Sequence, residues 1–302
     1  MKVVALDPGF PGAGRVLHEL SKIAPSMRYE GLSSRMELEL KNPDLLFLPA
    51  WSDSYPELLR LVEPKKTVVV WTSPISQSEF EPVEFGFMKT ISEMLDAGKL
   101  DAIWFGSPDW LTYVRSDMKR KAFYCPYPIS LPLWNGKRTL TGFRTNVSLF
   151  GPLPPRKNVG LQAMAAKLAN CTLHITDDGA KGILRSVGVE FVSHGWLPSD
   201  QYVQLLGLMD LGLQVSISGA ESFSFVAWDH ISRDIPCLSA TDWVPEEMHV
   251  EPSGCWPELL AKRIITFPTY PPGHWRSWAE QFAEQTNAKV KEILRKELDI
   301  HL

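Results

Sequence analysis

The chain has little cysteine, no long apolar run and no excess of positive charge. Its four cysteines, Cys125, Cys171, Cys237 and Cys255, lie far apart in 302 residues and form no CxxC. That excludes a disulfide scaffold or a zinc ribbon and fits reduced thiols in a cytosolic protein. Apolar runs such as TVVVW (67–71) and DLLFLPAW (44–51) are short, far below the about 18 residues that cross a membrane. The opening MKVVALDPGFPG lacks the layout of a signal peptide. Lys and Arg number 31 against 35 Asp and Glu, a net charge of -4. That balance argues against nucleic acid as the main partner. The seven histidines are scattered, none paired at i, i+4, and no metal-ligating cluster is visible. The expected localisation is cytoplasmic. Peripheral membrane contact is open, with the basic run at 115–123 as its candidate.

Proline and tryptophan, by contrast, are plentiful, at 24 and 11 residues. Tryptophans serve either as core anchors or as flat surfaces for sugars, and composition alone allows both. The order of elements is clearer. KVVAL, DLLFLPA, KTVVVW and DAIWFG read as buried strands, separated by helical segments such as RVLHELSKIA, YPELLRLV and FMKTISEMLDAG. The proline-rich, aperiodic segment 125–138 reads as a linker. The alternation then restarts. NVSLF, CTLHI, VEFVS, LGLQVSI and IPCLS are strands, with helices between them. NVGLQAMAAKLA is expected to turn Leu161, Met164, Ala165 and Leu168 inward. HWRSWAEQFAEQTNAKVKEILRKEL is one long helix whose apolar face weakens around Gln285 to Asn287. Apolar strands alternating with helices predict parallel sheets covered on both faces. The ligand belongs beyond the carboxyl ends of their strands.

Three stretches carry chemistry. DPGFPGAGRVLHEL (7–20) is strand, glycine loop and helix. Gly9, Gly12 and Gly14 permit close backbone approach to an anion, although an ordinary tight turn would look the same. LFGPLPPRKNVGLQAM (149–164) ends a strand at Gly151 and sets Arg156 and Lys157 before a helix. Two cations at that place suit a diphosphate, and a solvated basic turn is the alternative. GAESFSFVAWDHISRDIPCLSA (219–240) puts Glu221 in a loop and Asp229 about two turns into the following helix. Ser222, Phe223, Ser224 and Phe225 lie at that helix's start. Two carboxylates suit a ligand with hydroxyls at both ends, since they only accept hydrogen bonds. Free N–H groups at Phe223 to Phe225 would suit the phosphate between.

On these residues the second half resembles the group 1 glycosyltransferases, retaining enzymes of the GT-B fold. They carry a glutamate, seven residues and a second glutamate; here Glu221 is followed after seven residues by Asp229. Their G-x-P before a strand matches Asp234-Ile235-Pro236, and their glycine and lysine match Gly151 and Lys157. Arg156 stands in for their arginine. The segment from Asp210 to Ser216 also looks like their aspartate-x-x-x-x-x-S. The chain departs from the family at Asp229 and Asp234. It also departs at the end of TVVVWTSP, where Trp71, Thr72 and Ser73 stand in place of the histidine often found there.

The resemblance implies an α/β GT-B fold, two doubly wound Rossmann-like domains facing each other across a cleft. Residues 1–130 would be the acceptor domain and 131–272 the nucleotide-sugar donor domain. Residues 273–302 would form a C-terminal helix crossing back. The implied activity is metal-independent transfer of a sugar, with retention, from a nucleoside-diphosphate sugar of UDP or GDP type. The acceptor would be a glycan, lipid or small-molecule hydroxyl. Lys157, Arg156 and Glu221 would be catalytic. Gly12, Gly14, Gly151, Ser222, Phe223, Ser224, Phe225 and Asp229 would bind the donor. Trp51, Trp71 and Ser73 would line the acceptor side, with Trp51 and Trp71 stacking on a sugar. A non-catalytic nucleotide-sugar or carbohydrate-binding protein of the same fold is the rival reading.

Overall fold

The computed structural model describes residues 2–7, 13–24, 28–31, 42–50, 52–72, 82–114, 118, 121–132, 145–216, 223–251 and 256–299. They form two compact units. One comprises Met1–Ser130 and Phe282–Leu302, the other Leu131–Gln281. Among the described residues no helix is long and apolar enough to cross a membrane.

The first unit is built on a six-stranded sheet. Its strands are β1 (Val3–Asp7), β2 (Arg28–Gly31), β3 (Leu45–Pro49), β4 (Thr67–Trp71), β5 (Ala102–Phe105) and β6 (Ala122–Tyr124). Their order is β2-β1-β3-β4-β5-β6, all parallel. Between them run α1 (Ala13–Ile23), α2 (Tyr55–Val62), α3 (Pro82–Asp96) and the single turn α4 (Trp110–Tyr113). Residues of β3, β4 and β5 are all buried, which explains why their sequences are unbroken apolar runs rather than alternating ones. The polar RYEG of β2 lacks that signal, as does the three-residue β6. Strand β6 also claims the end of the basic run, since Ala122 and Phe123 lie in the sheet.

Trp104 of β5 anchors this core. It meets Phe47 edge-on at 6.1 Å and lies near-parallel to Phe123 at 6.4 Å, while its indole N–H donates to the Cys125 carbonyl at 2.6 Å. Tyr127 reaches back to donate to the Trp71 carbonyl at 2.9 Å. The segment read as a linker is therefore pinned at its start.

The second unit holds β7 (Asn146–Leu149), β8 (Thr172–Ile175), β9 (Phe191–Ser193), β10 (Leu211–Gln214) and β11 (Cys237–Ser239). They lie in the parallel order β11-β10-β7-β8-β9. Its helices are α5 (Val159–Leu168), α6 (Lys181–Val187), α7 (Ser199–Leu206), α8 (Phe225–Ile231) and α9 (Pro257–Thr266). Phe150, Leu205, Leu206, Met209 and Ile235 form one core cluster, with Tyr202 and Val226 packed on it. Helix α5 turns differently from the apolar pattern. Val159, Gln162, Ala163, Ala165 and Ala166 face inward, and Met164 and Leu168 are 45% and 53% exposed. Small alanines allow close approach, and Gln162 has backbone partners inside.

The last helix, α10 (His274–Leu298), divides its residues between the units. Its start is held by Asp234, whose φ of 63° is left-handed. The Asp234 carboxylate accepts from the N–H groups of Gly273 (2.6 Å) and Trp275 (2.9 Å). This explains the aspartate where the resembled family has glycine. Asp234 occupies the glycine-like backbone region and adds an acceptor to a helix N-terminus. Farther along, the polar gap in the apolar face is used as well. The Asn287 side chain accepts from the Ile129 N–H at 3.0 Å and donates to the Ile129 carbonyl at 2.7 Å.

A second polar cluster sits on the sheet of the second unit. The His174 Nδ1 is 3.0 Å from the His194 Nε2, and His174 Nε2 is 3.1 Å from the Asn146 Oδ1. Burial pushes both imidazoles below their ordinary range. For His174 a charge on His194 adds to this and Asp210 partly offsets it. With the folded values lowered, the unfolded chain takes up protons first. Stability is then full above about pH 6.5 and falls as the pH drops through that value. The urea midpoint is expected to decrease between about pH 7 and about pH 5, and to decrease less in His194→Gln. Identical pH profiles for the two proteins would refute the assignment.

Candidate functional site

In the second sheet the strand order reverses between β7 and β10. That is where open parallel sheets leave a crevice at the carboxyl ends of their strands. The segment after β7 is rigid for a countable reason. Gly151 adopts a φ of 84°, a region open to glycine. Its N–H donates to the Thr176 hydroxyl at 2.9 Å, and the N–H of Leu153 donates to the Asp177 carboxylate at 2.7 Å. Pro152, Pro154 and Pro155 have no N–H to offer. A 3₁₀ turn over Pro155–Lys157 follows, and Asn158 with a φ of 52° starts α5. The N–H groups of this loop are thus largely spent on Thr176 and Asp177, and the turn carries the side chains of Arg156 and Lys157.

Lys157 is 6% exposed, and its ammonium donates to the Gln214 Oε1 at 3.0 Å. Gln214 is the last residue of β10, so this contact spans the switch point. Its own amide N–H₂ donates to the Phe150 carbonyl at 3.1 Å. Gln162 of α5 donates to the Lys157 carbonyl at 2.5 Å and accepts from the Val215 N–H at 3.0 Å. Ser216 is buried, and its hydroxyl has no hydrogen-bond partner among the described residues. The sequence singled out Gly151, Arg156 and Lys157 but not the two glutamines that contact this turn and the end of β10. The available signal was a glutamine interrupting the apolar run LGLQV, where a fully buried strand has no use for an amide unless it is partnered.

Helix α8 carries the other predicted donor residues. Ser224 begins it, and its buried hydroxyl accepts from the Ala227 N–H at 3.2 Å, a helix cap. Phe223 lies 4.9 Å from the Phe225 ring and stacks on Trp243 at 4.4 Å. Asp229 is 7% exposed. Its Oδ2 accepts from the Tyr202 hydroxyl at 3.4 Å, and the Arg233 Nη1 lies 3.5 Å from its Oδ1. The same Arg233 nitrogen donates to the Asp229 carbonyl at 2.9 Å. Asp229 is therefore oriented from two sides. His230, one residue on, is a core histidine, 2.6 Å from the Ser148 hydroxyl and 2.7 Å from the Val226 carbonyl.

Several predicted residues belong elsewhere or lie outside the description. Gly14 falls inside α1, which begins at Ala13, and not in the loop before it. Trp71 is the last residue of β4. At 2% exposure it is part of the first unit's core, because both faces of that strand are covered, and it presents no open ring to a sugar. Its indole N–H is buried and has no hydrogen-bond partner among the described residues. Gly12, Trp51, Ser73, Glu221 and Ser222 lie outside the described residues. Among the described residues no group of three or more His, Cys, Asp or Glu is placed to hold a metal ion.

No family model and no curated protein sequence matches the chain. Solved structures match its fold. HepE from Anabaena, in complex with UDP-glucose, superposes with a TM-score of 0.69 over 98% of this chain and 100% of that one, at 13% identity. Sucrose-phosphate synthase from Thermosynechococcus elongatus gives a TM-score of 0.61 over 98% and 99%, also at 13% identity. A mutant of TarM from S. aureus, in complex with fondaparinux, alpha-GlcNAc-glycerol and UDP, gives 0.58 at 12% identity. It covers 84% of this chain, and this chain spans only 54% of TarM. The chain has the GT-B fold, with two Rossmann-like α/β units.

Proposed function

We propose that the protein transfers a sugar from a nucleoside-diphosphate sugar to an acceptor hydroxyl, with retention and without a metal ion. The observation that carries this reading is Lys157, a lysine buried at the switch point of the second sheet, with Arg156 beside it on a proline-stiffened turn. Retention requires the acceptor oxygen to form its bond on the face from which the diphosphate departs. Positive charge then develops at the anomeric carbon and negative charge on the leaving phosphate. Fixed cations matched to that growing charge lower the barrier, and Arg156 and Lys157 supply them. The acceptor proton leaves with the departing diphosphate. In this reading Glu221 and Ser222 receive the sugar hydroxyls and Asp229 the ribose, held for that purpose by Tyr202 and Arg233. Gly12, and Gly14 in the first turn of α1, allow the backbone to approach the donor. Trp51 and Ser73 remain acceptor-side candidates, and the acceptor is a glycan, lipid or small-molecule hydroxyl. The nucleotide-bound HepE and TarM structures support the choice of donor class. The reading takes the protein as cytoplasmic.

One observation favours a binding protein without turnover. The end of β4 carries Trp71, buried, where the resembled enzymes often have a histidine. The experiment is a melting curve with UDP, GDP and ADP, followed by incubation with the sugar donors of the base that stabilises. Release of nucleotide and a product of retained anomeric configuration, unaffected by a chelator, are expected. Stabilisation without release would favour the binding protein. No shift with any of the three would overturn both readings, and an inverted product would exclude retention.

A further inference from the structure

We infer that Gln214 is a positioning residue for Lys157, one that orients the ammonium without cancelling its charge; this rests on the reading of Lys157 as the diphosphate-binding cation. Gln214 is fully buried at the end of a strand whose other residues are apolar or glycine. A buried amide must have all its strong partners, and here they are specific. Oε1 accepts from the Lys157 ammonium at 3.0 Å and Nε2 donates to the Phe150 carbonyl at 3.1 Å. The second contact fixes which end of the amide faces the lysine, since only the N–H₂ can donate to a carbonyl. Gln162, equally buried, anchors the other end of the residue by donating to the Lys157 carbonyl at 2.5 Å. Lysine is ordinarily a mobile point charge. Here its backbone carbonyl is held by α5 and its ammonium by β10.

The chemistry of the partner decides what this arrangement does. A carboxylate at position 214 would hold the ammonium as firmly, but an incoming diphosphate would then compete with it for the same charge. A leucine would leave the ammonium without this acceptor. An amide fixes the direction and adds no negative charge of its own to compete with a diphosphate. The strand therefore selects for a dianionic or trianionic group at this place over a neutral one.

The test uses Gln214→Glu and Gln214→Leu in the full chain. The probes are whichever of UDP, GDP or ADP raises the wild-type melting temperature, and its parent nucleoside. Calorimetry is expected to show Gln214→Glu binding the nucleoside as wild type does and the diphosphate roughly tenfold to hundredfold more weakly, with no loss of melting temperature. Gln214→Leu is expected to melt lower and also to lose diphosphate affinity. Should it fail to fold, the near-isosteric Gln214→Glu carries the test alone. Unchanged diphosphate affinity in Gln214→Glu would overturn the inference, as would an equal loss for diphosphate and nucleoside, which marks a general distortion. A wild-type protein that binds none of the three diphosphates would instead overturn the reading of Lys157, and the inference with it.

Discussion

Lys157→Met is expected to lower turnover of the nucleotide-sugar donor by about a hundredfold to a thousandfold while the protein stays folded. Methionine keeps most of the volume of the lysine stem, so the core around α5 and β10 remains filled. What disappears is a single positive charge set where the leaving diphosphate gains negative charge. Removing one such preorganised donor costs about 2.7–4 kcal/mol of barrier in enzymes that rely on them. The loss should fall on kcat as well as on kcat/KM, because the charge being met grows in the transition state. The melting temperature separates this from misfolding. A folded Lys157→Met protein with wild-type kcat would remove Lys157 from the site. Arg156 cannot replace it from the same turn, since it is partly exposed while Lys157 is the one reaching β10.

Trp104→Ala should be the most damaging single change to the first unit. The side chain is fully buried, touches Phe47, Phe123 and Tyr127, and satisfies the Cys125 carbonyl. Truncating such a residue removes transfer energy and leaves a cavity, together about 3–5 kcal/mol. A lost hydrogen bond to a buried carbonyl adds about 1 kcal/mol or more. Measured by urea denaturation, a drop below about 2 kcal/mol would show that the sheet relaxes around the gap, against the packing described. Because two units are present, the unfolding curve is expected to split, with the first unit melting early and the second near its wild-type midpoint.

Strand and helix types were largely legible in the sequence because the sheets are parallel and buried, and buried strands announce themselves as apolar runs. Tyr55–Val62 and His274–Leu298 were readable to the residue. What was illegible had a different physical basis. Strands β2 and β6 are short edge elements whose pairing comes from neighbours rather than from their own composition. Helix α9, starting at Pro257, follows a segment with no periodic lead-in. In α5 the larger apolar residues pointed the wrong way. Met164 and Leu168 outscore alanine in hydrophobicity, yet close helix packing takes the small residues and a glutamine with backbone partners. At the site, Lys157 and Arg156 stood out as cations after a strand. Gln214 and Gln162 did not, since an amide reveals its purpose only when its two partners are in place. Trp71 shows the opposite failure. A tryptophan at a strand end looked like a sugar platform, and the coverage of both faces of β4 made it core.

The first unit is interrupted in the chain. Its sheet is complete by Tyr124, but Phe282–Leu302 returns to it only after the whole of the second unit has been made. During synthesis at ~5–20 residues per second that interval is on the order of ten to thirty seconds. Throughout it, the positions later covered by Val290 and Leu294, and the backbone of Ile129 that Asn287 will satisfy, are open to water. The second unit, contiguous from Leu131 to Gln281, can close first although it is made later. The nascent protein thus passes through a stage in which the unit that emerges first is the one left unfinished.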